Sequence, residues 1–281
     1  MNIYNAIWDA DMKGSGIQPI FTAENGDRSE GYVAVDKEIC NPGHRIFKEV
    51  HIPDRKRSSY QLIENLFDNY TLNQVDKEKN TLNESKEVEE FLGMAMNSLP
   101  VKMAKNFIEE RLNIKYDESQ WYTYLYNLWF RQFNWESSRD LSGFEHVFIG
   151  EQKGRRLTGH HFWYKYWLED NAKLNKHHRD QIDLTSMNQT EMSPTPHVIT
   201  VGYHLKAYDY GKKRFIKILK KRSAFFVGIS AEGLLALGTV RALAGVDVPE
   251  AIVINGTKYK LELYMSPDGS SIRTFYPTYV P

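Results

Sequence analysis

The hydrophobic period of the chain changes once, near residue 140, and no other feature restricts its fold as much. From about residue 57 to 135, apolar side chains recur at three-and-four spacing: "SSYQLIENLFDNYTL" places Leu62, Ile63, Leu66, Phe67 and Tyr70 on one helical stripe. "SKEVEEFLGMAMNSL" begins with Ser85 in a capping position and stops before Pro100, which can itself open the next helix, "VKMAKNFIEERL". "SQWYTYLYNLWFRQFNW" predicts a fourth, unusually aromatic helix. Beyond 140 the texture is that of strands: "HVITVGYHLKAYD", "RFIKILKKRSAFFVG", "AIVING", "TKYKLELYM" and "IRTFYPTYV", the last two joined by "SPDGS", a turn with Pro and Gly where a hairpin wants them. Among them "SAEGLLALGTVRALAG" reads as a helix capped by Ser230 and stopped by Gly245. Residues 1 to 56 are mixed, with "GYVAVD" strand-like and "NPGH" and "ENGD" marking turns. These signals predict an α+β chain. A mainly helical N-terminal region, 1–135, leads into a C-terminal half, 136–281, built on antiparallel β-sheets with flanking helices, and the two can pack as one continuous domain. A groove between β layers is a common place for a site.

Lys plus Arg equals Asp plus Glu at 36 each, so nothing in the overall charge draws the chain to nucleic acid or membrane, and any basic site has to be local. No apolar run approaches the roughly 20 residues a bilayer span needs. The start "MNIYNAIWDADMKG" lacks the basic and then apolar regions of a secretion signal, so a soluble cytoplasmic protein with no membrane partner is expected. Cys40 stands alone, which excludes an internal disulfide framework and a Cys-rich zinc site; it reads as a half-buried small residue. Asp9 and Asp11 in "WDAD" read as a turn or cap rather than a metal pair, and the charges at 76 to 90 as solvated faces. Phosphate-loop, nucleophile-elbow, His-Glu-x-x-His and His-x-Ser/Thr motifs are all missing.

The chemistry-bearing residues concentrate in "SGFEHVFIGEQKGRRLTGHHFWYKYWLED", residues 142 to 170. Histidine titrates near pH 6.5, so two imidazoles aimed at one bond can share proton transfer. "FEHVFIGE" reads as an extended segment leading into the turn "QKGRR", and "LTGHHFWYKYWLED" as a turn entering a helix. Thr158 would cap that helix and Gly159 would let the backbone approach a ligand, so free N–H groups there predict an anion site. Adjacent residues on such a turn point apart, so His160 and His161 do not serve the same bond. The aromatic residues that follow read as core. Phosphodiester transesterification needs a base, an acid and a cation on the non-bridging oxygens, and two histidines with a lysine supply these without a metal. "KKRFIKILKKR" offers the lysine, although read alone it is more simply a solvated edge strand.

At these residues the chain resembles the EndoU (XendoU-like) family of poly(U)-specific endoribonucleases. "SGFEHVFIGE" is close to that family's hallmark block. "LTGHHFWYKYWLE" occupies its second histidine block, "RSAFFVGIS" its lysine block and "IRTFYP" its C-terminal uridine-recognition strand. The likeness runs into the N-terminal half through "NAIWDAD" and "FLGMAMNSLPVKMAKNFI", while the C-terminal half also resembles the coronavirus uridylate-specific endoribonuclease domain. The compact, cysteine-poor chain points to a bacterial member. The resemblance implies catalytic roles for His146, His161 and Lys220, with Lys221 and Lys217 as alternatives for the lysine. It gives supporting roles to Glu145, Glu151 and Gly159, and substrate contacts to Thr274, Tyr276 and Ser223. His160 stands where the family usually has an aromatic residue. The implied activity is cleavage of single-stranded, U-containing RNA through a 2′,3′-cyclic phosphate, with no DNA substrate. No cofactor is required by the catalytic set, Mn2+ is a possible activator, and a monomer is expected. The alternative is a U-rich RNA-binding protein on the same fold with little or no catalysis.

Overall fold

The computed structural model describes residues 2–39, 44–170, 181–183, 189–192, 194–209 and 213–281. Cys40 and most of "NPGH" lie outside them. The N-terminal part runs α1 (Ile3–Lys13), β1 (Gln18–Ile20), β2 (Tyr32–Val35), β3 (Phe47–His51), α2 (Asp54–Asn65), α3 (Leu82–Asn97), α4 (Leu99–Leu112) and α5 (Glu118–Trp129). A short hairpin of β4 (Phe133–Trp135) and β5 (Ser138–Leu141) follows, then a helical turn over Glu145–Ile149. The remainder is β6 (Glu151–Lys153), β7 (Arg156–Thr158), α6 (Trp163–Asp170), β8 (Gln181–Asp183), β9 (Gln189–Met192), β10 (Val198–Asp209), β11 (Arg214–Phe226), α7 (Ala231–Arg241), β12 (Ala251–Ile254), β13 (Thr257–Met265) and β14 (Ile272–Tyr279). The α+β architecture and the five long C-terminal strands stand where the hydrophobic pattern put them.

Capping chemistry explains where several helices begin, and three boundaries differ from the sequence reading. Helix α3 starts at a capping box of Thr81 and Glu84, one turn before Ser85, because that pair satisfies two orphan N–H groups at once. Ser98 caps α4 with Pro100 in its first turn. Helix α5 stops at Trp129, so "FNW" belongs to a strand, and α7 ends at Arg241 rather than running to Gly245. The charged segment 76 to 90 is largely exposed, with Glu78 turned inward to accept from the Thr71 N–H and hydroxyl.

Two sheets matter for the site. One has the order β6-β7-β11-β10-β8, with β9 also pairing β10; the other is the meander β12-β13-β14. Strand β11 is therefore interior, not an edge, since β10 pairs along nearly its whole length and β7 touches its other side. Strand β14 packs on β11 and on the 145–149 turn. That turn is held from behind by an aromatic column, in which Phe144 stacks on Phe130 at 4.5 Å and on Phe148 at 4.7 Å. Burying each such ring contributes roughly 1.5–3 kcal/mol. The helical N-terminal residues thus fix the backbone that carries His146.

Candidate active site

The segment 144–149 is helical rather than extended, and this differs from the sequence reading for a physical reason. Phe144, Val147 and Phe148 are wholly buried, and a short apolar run enclosed on every side carries no period to separate strand from helix. The turn is wide: the Gly150 N–H donates to the Glu145 carbonyl, five residues back, a geometry frequent at functional sites. It leaves His146 facing a cleft of about 570 Å³ that His161, Lys220, Ser223, Thr274 and Tyr276 also line.

His161 arrives from the second block by a route that sequence reasoning misjudged. Thr158 ends strand β7 and donates its hydroxyl to the Glu151 carbonyl, so it caps nothing. The N–H groups of His160 and His161 are spent on the carbonyls of His146 and Val147, which removes the expected helix-terminus anion site. Gly159 is needed for a different close approach: at φ +67° its missing Cβ would lie 1.9 Å from the His146 carbonyl oxygen. This glycine staples the two histidine blocks together.

The tautomers follow from the partners. His161 Nδ1 lies 2.8 Å from the Ala224 carbonyl, which can only accept, so the hydrogen sits on Nδ1 and Nε2 keeps a lone pair. His146 Nδ1 lies 3.2 Å from Glu151 Oε2 and donates to it likewise. The two rings are 6.2 Å apart. His160 turns away, fully buried, stacked on Tyr166 at 4.0 Å with Nε2 2.9 Å from Glu169 Oε2. Its left-handed backbone, at φ +66°, sends the two neighbouring imidazoles in different directions.

Strand β11 delivers Lys220 through a bulge. Val201 pairs with Ser223 but Tyr203 with Lys220, so β11 spends one residue more than β10. The extra residue brings Lys220 and Ser223, three apart, onto one face, and both reach the Gly159 carbonyl. Lys220 is buried, whereas Lys221 is exposed and Lys217 pairs with Asp183 at 2.8 Å on the outer side. Burial lowers the Lys220 ammonium to about 7, against the pull of Glu151. Ser223 donates to the His160 carbonyl at 2.6 Å, so only its lone pairs remain. Across the cleft Tyr276 stacks on His161 at 4.6 Å, and the buried Thr274 hydroxyl has no hydrogen-bond partner among the described residues.

Arg273, which sequence reasoning missed, organises the charges. Its guanidinium grips both oxygens of Glu151 at 2.7 and 2.5 Å. Although burial alone would raise it, Glu151 is brought down to about 2 by His146 and Arg273. Burial and the neighbouring Glu151 charge push Glu145 well above the ordinary carboxylate range. Burial and Arg273 lower His146 to about 4; burial and Lys220 hold His161 well below its ordinary value. With both Glu151 oxygens engaged by Arg273 and His146, that carboxylate has no oxygen left over for a manganese ion. Among the described residues, no group of three His, Cys, Asp or Glu side chains could hold a metal. Asp11, read as a turn or cap, lies inside α1 and accepts from the N–H and hydroxyl of Ser230, the residue that caps α7. No helix among the described residues is long and apolar enough to cross a membrane.

Two neutral imidazoles and a buried lysine make general acid–base chemistry on an anionic group the natural use of this cleft. Comparison with known proteins gives the class: residues 1–277 match the family model described as Endoribonuclease XendoU, and the chain belongs to that endoribonuclease family. It is 26% identical to Uridylate-specific endoribonuclease C of Danio rerio over 288 residues, covering 98% of this chain and 86% of that protein. Poly(U)-specific endoribonuclease-A of Xenopus laevis is 25% identical over 282 residues, with 98% and 91% covered. The solved structure of XendoU, described as a splicing independent snoRNA processing endoribonuclease, superposes with a TM-score of 0.70 at 21% identity, over 99% of this chain and 96% of that one. This last likeness is one of fold.

Proposed function

We propose that this endoribonuclease cuts single-stranded RNA on the 3′ side of uridine, by attack of the uridine 2′-OH on the adjacent phosphorus. One observation carries the reading: both Nδ1 hydrogens are committed to acceptors, so both Nε2 atoms are left for the one cleft that Lys220 also lines. His161 Nε2 takes the 2′-OH proton as the 2′ oxygen bonds to phosphorus. The bond from phosphorus to O5′ breaks, and His146 Nε2–H protonates the leaving O5′. The products are a 2′,3′-cyclic phosphate and a 5′-OH. His146 is assigned as the acid because its Nδ1 faces a carboxylate, which favours the imidazolium, while His161 faces only a carbonyl. The charge of the arriving phosphodiester raises both histidines and Lys220.

The Lys220 ammonium neutralises the non-bridging oxygens where charge builds, and the Gly159 N–H is proposed as a second donor. Tyr276 supplies a stacking face and the Thr274 hydroxyl an unspent hydrogen bond for the uracil edge. Ser223 supports the loop and offers lone pairs. The names of the relatives, uridylate-specific and poly(U)-specific, support this base preference. No step passes through a metal ion, and cleavage in EDTA is expected. The test is a single-uridine RNA in which that uridine alone is replaced, by cytidine or by 2′-deoxyuridine. Slow cutting of the first and none of the second are expected; turnover of the deoxy substrate would overturn the mechanism.

A further inference from the structure

The wall of the cleft formed by β7 and β11 carries more positive charge than the reaction uses. Arg156, Lys221 and Arg222 line it together with Lys220, and among the described residues no carboxylate lines the cleft, in a chain whose formal net charge is zero. Arg156 and Leu219 are register partners across the two strands, which puts Arg156 close to Lys221, two residues further along β11. Both side chains are exposed, and neither forms an ion pair among the described residues, in contrast to Lys217 with Asp183 and Lys153 with Glu136. In the bulge that brings Lys220 and Ser223 inward, Lys221 and Arg222 fall opposite the single Gly202, so the same irregularity that builds the reaction centre builds this rim.

Resting on the acid and base roles given above, we infer that Arg156 and Lys221 form a phosphate subsite for the RNA strand that leaves, on the 3′ side of the cut. The uridine end of the cleft is defined by Tyr276 stacked on His161. Strand β7 lies beside His146: Glu151, the His146 partner, pairs with Thr158, and Gly159 touches His146. The nucleotide departing from the His146 side therefore runs past Arg156 and Lys221, and its next phosphate meets two cations. Such contacts carry no base information; they set affinity and register. The enzyme is accordingly expected to need chain length beyond the scissile bond, with any base preference reserved for the uridine.

Binding of uncleavable RNA tests the subsite apart from catalysis. Fluorescence anisotropy would measure Kd for a 2′-deoxyuridine followed by one adenosine, for the same followed by three adenosines, and for one preceded by three adenosines. Lengthening on the 3′ side should tighten Kd in the wild type, and Arg156→Gln or Lys221→Gln should each remove about fivefold of that gain. Each should also flatten the plot of log Kd against log salt by about 0.7. Arg156→Lys, which keeps the charge, should retain most of the gain. Unchanged Kd and salt slope in both Gln variants, or an equal gain from the 5′ extension, would overturn the subsite. Cutting of the deoxyuridine oligomers would instead overturn the reading of the reaction.

Discussion

Arg273 controls three ionisable groups from one position. It keeps Glu151 ionised, which lets Glu151 accept from His146, and the Glu151 charge in turn pushes the neighbouring Glu145 up. Arg273→Gln strips the buried carboxylate of its cation, and breaking a buried pair in this way costs about 3–5 kcal/mol. Urea unfolding should show that loss, with kcat falling more than KM as His146 loses its fixed orientation; an unchanged midpoint would contradict the assignment. Lys220 makes a second prediction. Its ammonium is held at about 7, so kcat/KM, which reports the free enzyme, should fall as pH rises through 7 and the proton is lost. Lys220→Arg should be slower but should lose that fall, because a guanidinium does not titrate there. A wild-type profile flat from pH 6 to 9 would count against Lys220 as the cation. His146, His161 and Lys220 were legible because each sits in a dense local block. Arg273 was not, since a charged residue in a strand reads as solvent-facing and its partner lies 122 positions away.

At the scale of elements, the Ser230 cap, the aromatic α5 and the long strands of the C-terminal half were legible because each rests on local chemistry or on a sustained period, whereas Ser85 and Thr158, read as caps, are not caps. The 145–149 turn and the β11 bulge were not legible. The first is enclosed on all sides, and the second exists only in the pairing of two strands; that bulge puts Lys220 in the cleft, while Lys217 pairs with Asp183 outside it. Asp11 shows the same limit. Read as a turn or cap, it instead lies inside α1 and holds Ser230, the residue that caps α7, 219 positions away, accepting its N–H at 2.8 Å. Burial and Glu232 raise Asp11 to about 7, above its unfolded value of about 3.8. The unfolded chain thus releases this proton first as pH rises, so the stability linked to it is present below about 3.8 and is lost on rising through 7. Asp11→Asn keeps an acceptor and removes the titration. Thermal melts should show the variant losing less stability than the wild type between pH 5 and 8; parallel losses would sink the argument.

In the molecule as a whole, residues distant in sequence meet because two sheets face each other across the cleft, backed by the helical half. The α5 aromatics stack behind the turn of His146, Gly159 ties that turn to the His161 block, and β14 brings Tyr276 and Arg273 from the end of the chain. Net neutrality and a strongly basic cleft are compatible because the positive charge gathers on one wall. All of this serves one claim: that two histidines move protons during attack by the neighbouring 2′-OH. The direct measurement is to incubate the full chain with an RNA containing one uridine, in EDTA, and to identify both new ends by mass spectrometry. A 2′,3′-cyclic phosphate on the uridine and a 5′-OH on the following fragment are predicted; a 3′-OH with a 5′-phosphate would contradict the account.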